Sequence, residues 1–209
     1  MAKYRLILFD FDGTLADTLP WFQSAFHVIG GKYGFKKLDP AEYEKLRDYD
    51  SKQILKALGV PFWKVPLIAK DMMSLMAQHI REAKLFPDTH MLLQTLSSRG
   101  LTLGIVSSNS EENIRHVLGQ EITARILFYE CGVSMFGKAA KLKKVLRQSR
   151  TAPDQALYIG DELRDLQAAK AAGIPFGAVS WGYNRAEALQ RQVPTEMFCS
   201  MAEIVKRLA

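Results

Sequence analysis

The sequence is poor in the features that mark secreted, membrane-spanning and metal-cluster proteins. Its 209 residues include only two cysteines, Cys131 and Cys199, and no Cys-x-x-Cys pair. This argues against a disulfide framework or a cysteine-based metal cluster, and both thiols are expected to be reduced. No apolar run reaches the roughly 18 residues that a membrane span needs, and MAKYRLILFD lacks the length of a signal peptide's apolar segment. We therefore expect a cytoplasmic protein without a membrane partner.

Strong charge of one sign is also missing. The formal net charge is +6, and the basic residues occur in short groups, such as KK at 36–37 and KAAKLKK at 138–144, without interleaved aromatic residues. This distribution argues against a nucleic-acid partner and suits a small anionic substrate. The 48% hydrophobic content is enough for one packed domain with a sizeable insertion, or for two small domains. We expect a monomer or a weak homodimer.

Short apolar segments alternate with helical patterns along most of the chain. Four of these segments predict buried parallel strands: residues 4–11, 101–107, 156–160 and 176–181. The helical patterns lie at residues 88–99, 111–118, 139–148 and 162–172. This alternation predicts an α/β fold with a doubly wound, Rossmann-like parallel sheet.

About seventy residues after the first predicted strand contain no convincing strand pattern. They favour helices at residues 21–33, 40–49, 52–58 and 63–83. We interpret them as a small helical cap domain, residues 17–86, inserted into a core formed by residues 1–16 and 87–209. Residues 17–20 and 85–88 are the predicted linkers.

Polar side chains follow three of the predicted strands. The first strand runs into Asp10 and Asp12 within LILFDFDGTLADT, the second into residues 107–109 (Ser-Ser-Asn), and the third into Asp161 with Asp165 one turn later. Ligands bind outside the carboxyl ends of the strands in such sheets, so these residues are expected to converge. Side chains two positions apart in an extended chain point the same way, and two carboxylates so placed repel each other unless a cation or a shared proton lies between them. Together these carboxylates predict a hard divalent ion such as Mg²⁺.

The same residues are also compatible with other structural roles. An isolated Asp-x-Asp can be a turn with side-chain hydrogen bonds. A calcium loop of the EF-hand type is excluded, because Gly13 falls at the wrong loop position and Trp21 replaces the final glutamate. Residues 107–109 can cap the following helix, although a helix N-terminus is also a phosphate site. GDELRD and the residues after it can form a surface amphipathic helix.

A lysine is expected to add positive charge beside these carboxylates. Lys138 precedes a predicted helix and is the first candidate, and Lys141 is the alternative phosphate-binding lysine. Lys141, Lys143 and Lys144 are expected on a solvated helix face.

Together these residues resemble the motifs of the haloacid dehalogenase superfamily. DFDGT at residues 10–14 is similar to its first motif, IVS ending at Ser107 to the second, Lys138 to the third, and GDELRD at residues 160–165 to the fourth. The helical insert resembles the small cap of this superfamily. AVSWGYN at 178–184 and FPDTHMLLQTL at 86–96 are similar to the phosphoglycolate phosphatase-like branch.

The resemblance implies a role for each matching residue. Asp10 would be the nucleophile that forms an aspartyl-phosphate, and Asp12 the general acid and base. Ser107, Lys138 and nearby backbone N–H groups would hold the phosphoryl oxygens. The further expected substrate-binding residues are Thr14, Ser108 and Asn109.

The resemblance also implies a set of Mg²⁺ ligands. These are the Asp10 carboxylate, the backbone carbonyl of Asp12, and Asp161, with Asp165 lying behind them. An acid at position 12 suits a phosphoester whose leaving alkoxide must be protonated. The sequence therefore predicts a Mg²⁺-dependent phosphatase acting on a small anionic phosphorylated metabolite of the phosphoglycolate kind.

Two other functions and the identity of the substrate remain open. A phosphosugar mutase of the β-phosphoglucomutase type would use the same aspartyl-phosphate, and a non-catalytic binding or regulatory protein would retain an idle site. In the cap, the Arg47 guanidinium could hold a substrate carboxylate, or it could be an exposed helix arginine. Trp21, Phe62 and Trp63 could pack in the cap core or contact substrate.

Overall fold

A computed structural model describes residues 3–133 and 137–209, and its main feature is a parallel sheet. In these residues the sheet has six strands, in the order β5-β4-β1-β6-β7-β8, and every adjacent pair is parallel. The strands are β1 (Leu6–Phe9), β4 (Thr102–Val106), β5 (Ile126–Glu130), β6 (Ala156–Gly160), β7 (Phe176–Val179) and β8 (Glu196–Phe198). The predicted doubly wound α/β fold is confirmed.

Helices cover both faces of this sheet because its central strands are apolar on both sides. In β1, Leu6 and Leu8 pack into one core layer, and Ile7 and Phe9 pack into the other. One layer is covered by α5 (Thr89–Ser98), α6 (Glu111–Thr123) and α10 (Met201–Leu208). The other is covered by α7 (Gly137–Ser149), α8 (Leu163–Ala172) and α9 (Ala186–Gln190).

A helical insert follows β1. It lies between two short strands, β2 (Ala16–Asp17) and β3 (Lys84–Leu85), which pair antiparallel and bring its two ends together. All elements between them are helical: α1 (Leu19–Tyr33), α2 (Pro40–Leu46), α3 (Ser51–Ala57), α4 (Val65–His79) and 3₁₀ turns at Phe62–Lys64 and Ile80–Glu82. The division into a core and a cap domain at the bounds given above stays a prediction.

Local sequence signals explain where the helices of the insert begin and end. Asp39 and Asp50 each accept a hydrogen bond from the backbone N–H three residues later, in complete capping boxes at the starts of α2 and α3. Gly34 adopts the left-handed conformation that ends α1.

Several predicted bounds differ from the structure. The first strand is shorter than residues 4–11 and ends at Phe9, so Asp10 and Asp12 lie in the loop after it. The strands β5 and β8 were not predicted, because both are edge strands that are only partly buried, and β8 has only three residues. The helix predicted at 63–83 is α4 with a 3₁₀ turn at either end.

The structure bears on membrane-spanning helices and on the two cysteines. Among the described helices, none combines the length and apolarity that crossing a bilayer requires. Cys131 and Cys199 are both free thiols.

The central position of β1 leads to a stability prediction. Leu8 is completely buried, whereas Leu127 on the edge strand β5 is 69% exposed. Leu8→Ala removes packed methyl groups and leaves a cavity, so we expect it to lower the free energy of unfolding by about 2–5 kcal/mol. The matched control, Leu127→Ala, should change it by no more than about 0.5 kcal/mol. Chemical denaturation of both variants measures the difference, and equal losses would contradict this assignment of the core.

Candidate active site

The candidate site lies at the carboxyl edge of the sheet. There β1 leads into Asp10, β4 leads into Ser107, and β6 leads into Asp161, so distant segments of the chain meet. The backbone N–H of Phe11 donates to Asp10 Oδ1 at 2.8 Å, which fixes the carboxylate at the start of the loop. Gly13 turns this loop with a φ of 75°, a conformation that favours glycine.

Lys138 joins two buried carboxylates at the centre of the site. Its ammonium contacts Asp10 Oδ2 directly and lies 2.5 Å from Asp165 Oδ1. The Lys138 side chain is only 9% exposed. Tyr158 Oη lies 3.3 Å from the same oxygen of Asp165, and the Asp165 Oδ2 atom accepts from the Glu162 backbone N–H at 3.2 Å. The two carboxylates are thus held by hydrogen bonds and by one shared positive charge.

The structure distinguishes between the two candidate lysines. Lys141 is buried, and its ammonium donates to the backbone carbonyls of Ser107, at 2.8 Å, and Gly132. The expectation that Lys141 lies on a solvated face is therefore wrong for this residue, although Lys143 and Lys144 are exposed. Burial lowers the Lys141 pKa. Lys138 reaches the carboxylates, whereas Lys141 supports the loops around them.

Asp12 has a different environment from Asp10. Its two carboxylate oxygens accept from Asn109 Nδ2 at 3.2 and 3.1 Å. Asn109 is itself held by Asn113 Nδ2, which donates to its side-chain oxygen at 3.0 Å. Burial, followed by repulsion from Asp10, raises the pKa of Asp12 to about 6.

The pKa of the other carboxyl groups depends on the balance of burial and neighbouring charge. Burial alone would raise the pKa of Asp10, but the positive charges of Lys138 and Arg164 hold it below its ordinary value. Burial is also the main reason that the pKa of Asp165 rises to about 7, although Lys138 opposes this rise. Of these two carboxyl groups, the charged form is therefore favoured more strongly at Asp10.

Asp161 is buried and held from two sides. Thr14 Oγ1 donates to its Oδ1 at 2.8 Å, and the backbone N–H of Tyr183 donates to its Oδ2 at 2.7 Å. A side chain at Gly13 or Gly182 would collide with this carboxylate, so glycine at both positions permits the close packing. Burial, with nearby carboxylates, raises the pKa of Asp161 well above its ordinary value.

The residues after β4 form the start of α6. Ser107 Oγ accepts from the backbone N–H of Asn109 at 3.2 Å, and Ser108 lines the cavity described below. The residue that caps α6 is Ser110, whose hydroxyl accepts from the backbone N–H of Asn113. Residues 107–109 therefore precede the cap, and Ser108 and Asn109 line the cavity.

The donor set fits a hard divalent cation. Carboxylate oxygens of Asp10, Glu162 and Asp165 lie within 4.8 Å of one another. Oxygen ligands of this kind are preferred by Mg²⁺ and Ca²⁺. Glu162 was not among the predicted ligands, although it lies inside the GDELRD motif that pointed to this segment. Asp12 and Asp161 lie outside this group, and their predicted roles at the metal stay predictions.

A cavity of about 470 Å³ lies between the helical insert and a floor that includes Asp12, Lys138 and Arg164. Its floor is formed by residues outside the insert, and most of the side chains there are polar or charged. Its roof belongs to α1 and α4 and includes Trp21, which thus contacts the cavity. Phe62 and Trp63 are 78% and 69% exposed, so the idea that they pack in the cap core is wrong. The floor residues are Asp12, Ser108, Asn109, Gly132, Val133, Gly137, Lys138, Lys141, Arg164, Ala168 and Tyr183.

Arg47 connects the insert to the loop after β7. Its guanidinium donates to the backbone carbonyls of Tyr183 at 3.0 Å and Gly182 at 3.1 Å. Asn184 completes the connection: its amide donates to the Arg47 carbonyl at 2.7 Å, and its side-chain oxygen accepts from the Leu163 backbone N–H at 2.8 Å. Arg47 is half-buried, and its guanidinium is fixed by these hydrogen bonds to the loop after β7. Its contact with a substrate carboxylate stays a prediction.

Known proteins show the same architecture. A model of the family described as haloacid dehalogenase-like hydrolase matches residues 7–179. The phosphoglycolate phosphatase of Synechococcus elongatus is 33% identical over 192 residues, covering 91% of this chain and 90% of the relative. That of Xanthomonas campestris is 30% identical over 196 residues, covering 86% and 84%. A haloacid dehalogenase-like hydrolase from Streptococcus pneumoniae superposes with a TM-score of 0.81 at 24% identity, covering 99% of both chains.

The fold and the site thus define a phosphatase of the parallel α/β class with a helical insert after its first strand. The chain belongs to the haloacid dehalogenase-like hydrolase family and, within it, to the phosphoglycolate phosphatase-like branch. The resemblance inferred from the motifs is confirmed.

The raised pKa of Asp12 predicts that this residue costs stability at neutral pH. Its pKa is about 6 when folded, against an ordinary value of 3.8. The folded state therefore binds its proton more tightly than the unfolded state, so stability falls as pH rises from about 4 to about 6 and stays lower above that. Asp12→Asn removes this penalty and keeps an acceptor for Asn109. In excess chelator at neutral pH, we expect it to stabilise the partly buried site by about 1–2 kcal/mol.

Thermal unfolding across this pH range measures the effect. The gain in melting temperature should shrink as pH falls from about 6 to about 4 and approach zero only below about pH 3, where Asp12 is protonated in both states. A lower melting temperature for Asp12→Asn at neutral pH would show that Asp12 contributes to stability when ionised.

Proposed function

We propose that the protein hydrolyses a small phosphomonoester through an aspartyl-phosphate on Asp10, with Mg²⁺ as cofactor. The observation that carries this proposal is the difference in pKa between two neighbouring carboxyl groups. Asp10 is held ionised beside Lys138, whereas the pKa of Asp12 is raised to about 6. Neighbouring groups whose pKa values are pushed apart are suited to act as nucleophile and acid.

Asp10 would attack phosphorus in the first step. A bond forms between its carboxylate oxygen and phosphorus while the bond from phosphorus to the ester oxygen breaks. The attacking group must be ionised, and Lys138 favours that state. Lys138 also lies close enough to Asp10 to attract the oxygens of the transferring group.

Asp12 would donate its proton to the leaving ester oxygen. The resulting carboxylate would then take a proton from the water that attacks the aspartyl-phosphate, which releases inorganic phosphate and restores both carboxyl groups. Asn109 supports this role because its amide donates to both Asp12 oxygens and fixes their position in the floor of the cavity. Ser107 and Ser108 stay proposed as groups that hold the phosphoryl oxygens.

Thr14 contacts a carboxylate of the site. Its hydroxyl proton is donated to Asp161, so its expected substrate contact would require a different hydroxyl orientation. We propose that Thr14 positions Asp161. Asp165 similarly positions Lys138, with which it shares a hydrogen bond of 2.5 Å.

Mg²⁺ would be held by Asp10 together with Asp165, Glu162 or Asp161. We call the carboxylates of these four residues the acidic edge of the site. When bound, the ion would neutralise negative charge on the transferring group. The close group of carboxylate oxygens supports an oxygen-liganded divalent ion.

The relatives support phosphoglycolate as a first substrate to test, because two phosphoglycolate phosphatases are at least 30% identical to most of this chain. A mutase would use the same first step but return the phosphoryl group to a bisphosphate. Phosphate release without a bisphosphate activator would separate the two. We also propose a cytoplasmic location and a monomeric or weakly dimeric state.

The proposed role of Asp12 can be tested with two leaving groups. An alkoxide such as glycolate leaves poorly without a proton, so Asp12→Asn should slow phosphoglycolate hydrolysis by about 10²–10⁴-fold. Nitrophenolate leaves without this help, so the first step with p-nitrophenyl phosphate should largely recover, while attack by water stays slow. Rapid mixing should therefore show a burst of nitrophenol followed by a slow steady rate.

Asp10→Asn is the matched control for this experiment. It changes a neighbouring carboxylate to the same amide but removes the proposed nucleophile, so neither a burst nor a labelled phosphoenzyme should form. Equal slowing of both substrates by Asp12→Asn, with no burst, would exclude Asp12 as the acid and base. A phosphoenzyme in Asp10→Asn would place the nucleophile elsewhere.

The acidic edge predicts that Mg²⁺ supports turnover better than Ca²⁺. Mg²⁺ should support turnover after removal of metal by chelator, whereas Ca²⁺, which is larger and takes more ligands in a more flexible geometry, should support it poorly. Phosphate release measured across a titration of each ion tests this. Full activity in excess chelator would contradict the proposed cofactor.

A further inference from the structure

We infer that Lys70, on α4 of the insert, determines specificity by binding a second anionic group of the substrate, a carboxylate carried on its ester oxygen. This inference rests on the proposed function and names a residue that would recognise the substrate of the same site. It follows from a second cavity that adjoins the first, and from the partners that the other cations of the site already have.

The roof of the first cavity is apolar throughout the residues that the structure describes. Its described lining residues from α1 and α4 are Trp21, Phe22, Ala69, Met72, Met73 and Met76. An anionic group that met only these side chains would lose water without gaining a positive partner, which is costly. A carboxylate on the leaving group therefore needs a cation from beyond this roof.

A second cavity, of about 510 Å³, adjoins the first and has Lys70 in its wall. The lining residues that the two cavities share are Ala69, Met73, Asn109 and Val133. Asn109 also donates to both carboxylate oxygens of Asp12, the proposed acid for the leaving oxygen. The two cavities therefore meet beside the place proposed for the leaving group, and a group on the ester oxygen can extend from there towards Lys70.

The ammonium group of Lys70 is available to a ligand. Among the described residues, no carboxylate lies within 4.0 Å of it: Asp71, its neighbour in the chain, is held instead by Lys32 at 2.5 Å and by Tyr33 Oη at 2.8 Å. Lys70 is exposed, and a lysine carries its charge on a flexible four-carbon stem. Its ammonium can therefore turn towards a carboxylate that enters the second cavity.

The other cations near the first cavity already have partners. Lys138 contacts two carboxylates. Lys141 and Arg47 donate to backbone carbonyls. Arg164 pairs with Glu162. Lys70 is therefore the cation that could bind a further carboxylate without giving up a described partner.

A negative side chain in the second cavity opposes Lys70. Glu112 of α6 lies in the wall of this cavity and is exposed. Because like charges repel, Glu112 disfavours a carboxylate there, with a strength that salt reduces. Lys70 and Glu112 are thus expected to act in opposite directions on the same group of the substrate.

Two esters separate the effect of the carboxylate from that of the rest of the leaving group. Phosphoglycolate and ethyl phosphate have ester groups of equal carbon count and differ in a terminal carboxylate or methyl. With Mg²⁺, the ratio of their kcat/KM values should favour phosphoglycolate. Lys70→Met should lower this ratio about tenfold or more, because a hydrogen bond between charged groups is lost. The loss should appear in KM rather than kcat, because the carboxylate carries the same charge in the ground state and the transition state.

Three further variants distinguish the charge of Lys70 from a structural role. Lys56→Met removes the same charge from an exposed position on α3, outside the described lining of both cavities, and should leave the ratio as in the unchanged protein. Glu112→Gln should raise the ratio about twofold or more. Lys70→Arg keeps the charge and should keep most of the preference. Added salt should lower the ratio in the unchanged protein but hardly in Lys70→Met, a dependence that a purely structural role would not produce.

Binding measured without turnover separates this inference from the proposed reaction. Carboxyethylphosphonate and propylphosphonate resemble the two esters but have carbon in place of the ester oxygen, so they are not hydrolysed. Calorimetry with Mg²⁺ should show tighter binding of the carboxylated compound, and Lys70→Met should remove the difference. If this occurs but neither ester is hydrolysed, the proposed function is wrong and the role of Lys70 stands. If both esters are hydrolysed and Lys70→Met leaves their ratio unchanged, the role of Lys70 is wrong and the phosphatase reaction stands.

Discussion

The ion pair between Lys138 and two buried carboxylates is the contact on which the arrangement of the site depends. Asp10 follows β1, Asp165 lies in the first turn of α8, and Lys138 lies at the start of α7. Carboxylates buried this deeply are stable as charges only when a cation and hydrogen bonds compensate them. The same ammonium therefore connects α7 and α8 to the edge of the sheet and keeps the proposed nucleophile ionised.

The difference between Asp10 and Asp12 follows from what each side chain meets. Asp10 meets an ammonium group, whereas Asp12 meets the neutral amide of Asn109. Two residues that are almost adjacent in sequence thus have pKa values shifted in opposite directions. A single loop supplies both an ionised carboxylate and a carboxyl group that can hold a proton near neutral pH.

The loop after β7 connects the acidic edge to the roof of the cavity. Tyr183 donates its backbone N–H to Asp161, and its hydroxyl lies 2.9 Å from that of Thr18, just before α1. Its ring also lies 5.3 Å from that of Phe22 in the roof. Asn184 and Arg47 add hydrogen bonds to the same connection. The position of the apolar roof therefore depends on the loop that also holds a carboxylate of the site.

The sequence by itself determined the α/β fold, the helical insert and the convergence of Asp10, Asp12, Ser107 and Asp161. Those features follow from local patterns, because apolar strands alternate with helices and parallel strands bring their carboxyl ends to one edge. Tertiary structure decided that Lys138 contacts the carboxylates whereas Lys141 contacts backbone carbonyls, although both lie on one helix. It also decided that Glu162 joins the acidic group and that the Arg47 guanidinium meets backbone carbonyls. A side chain's partner depends on residues far away in sequence, and no local pattern contains that information.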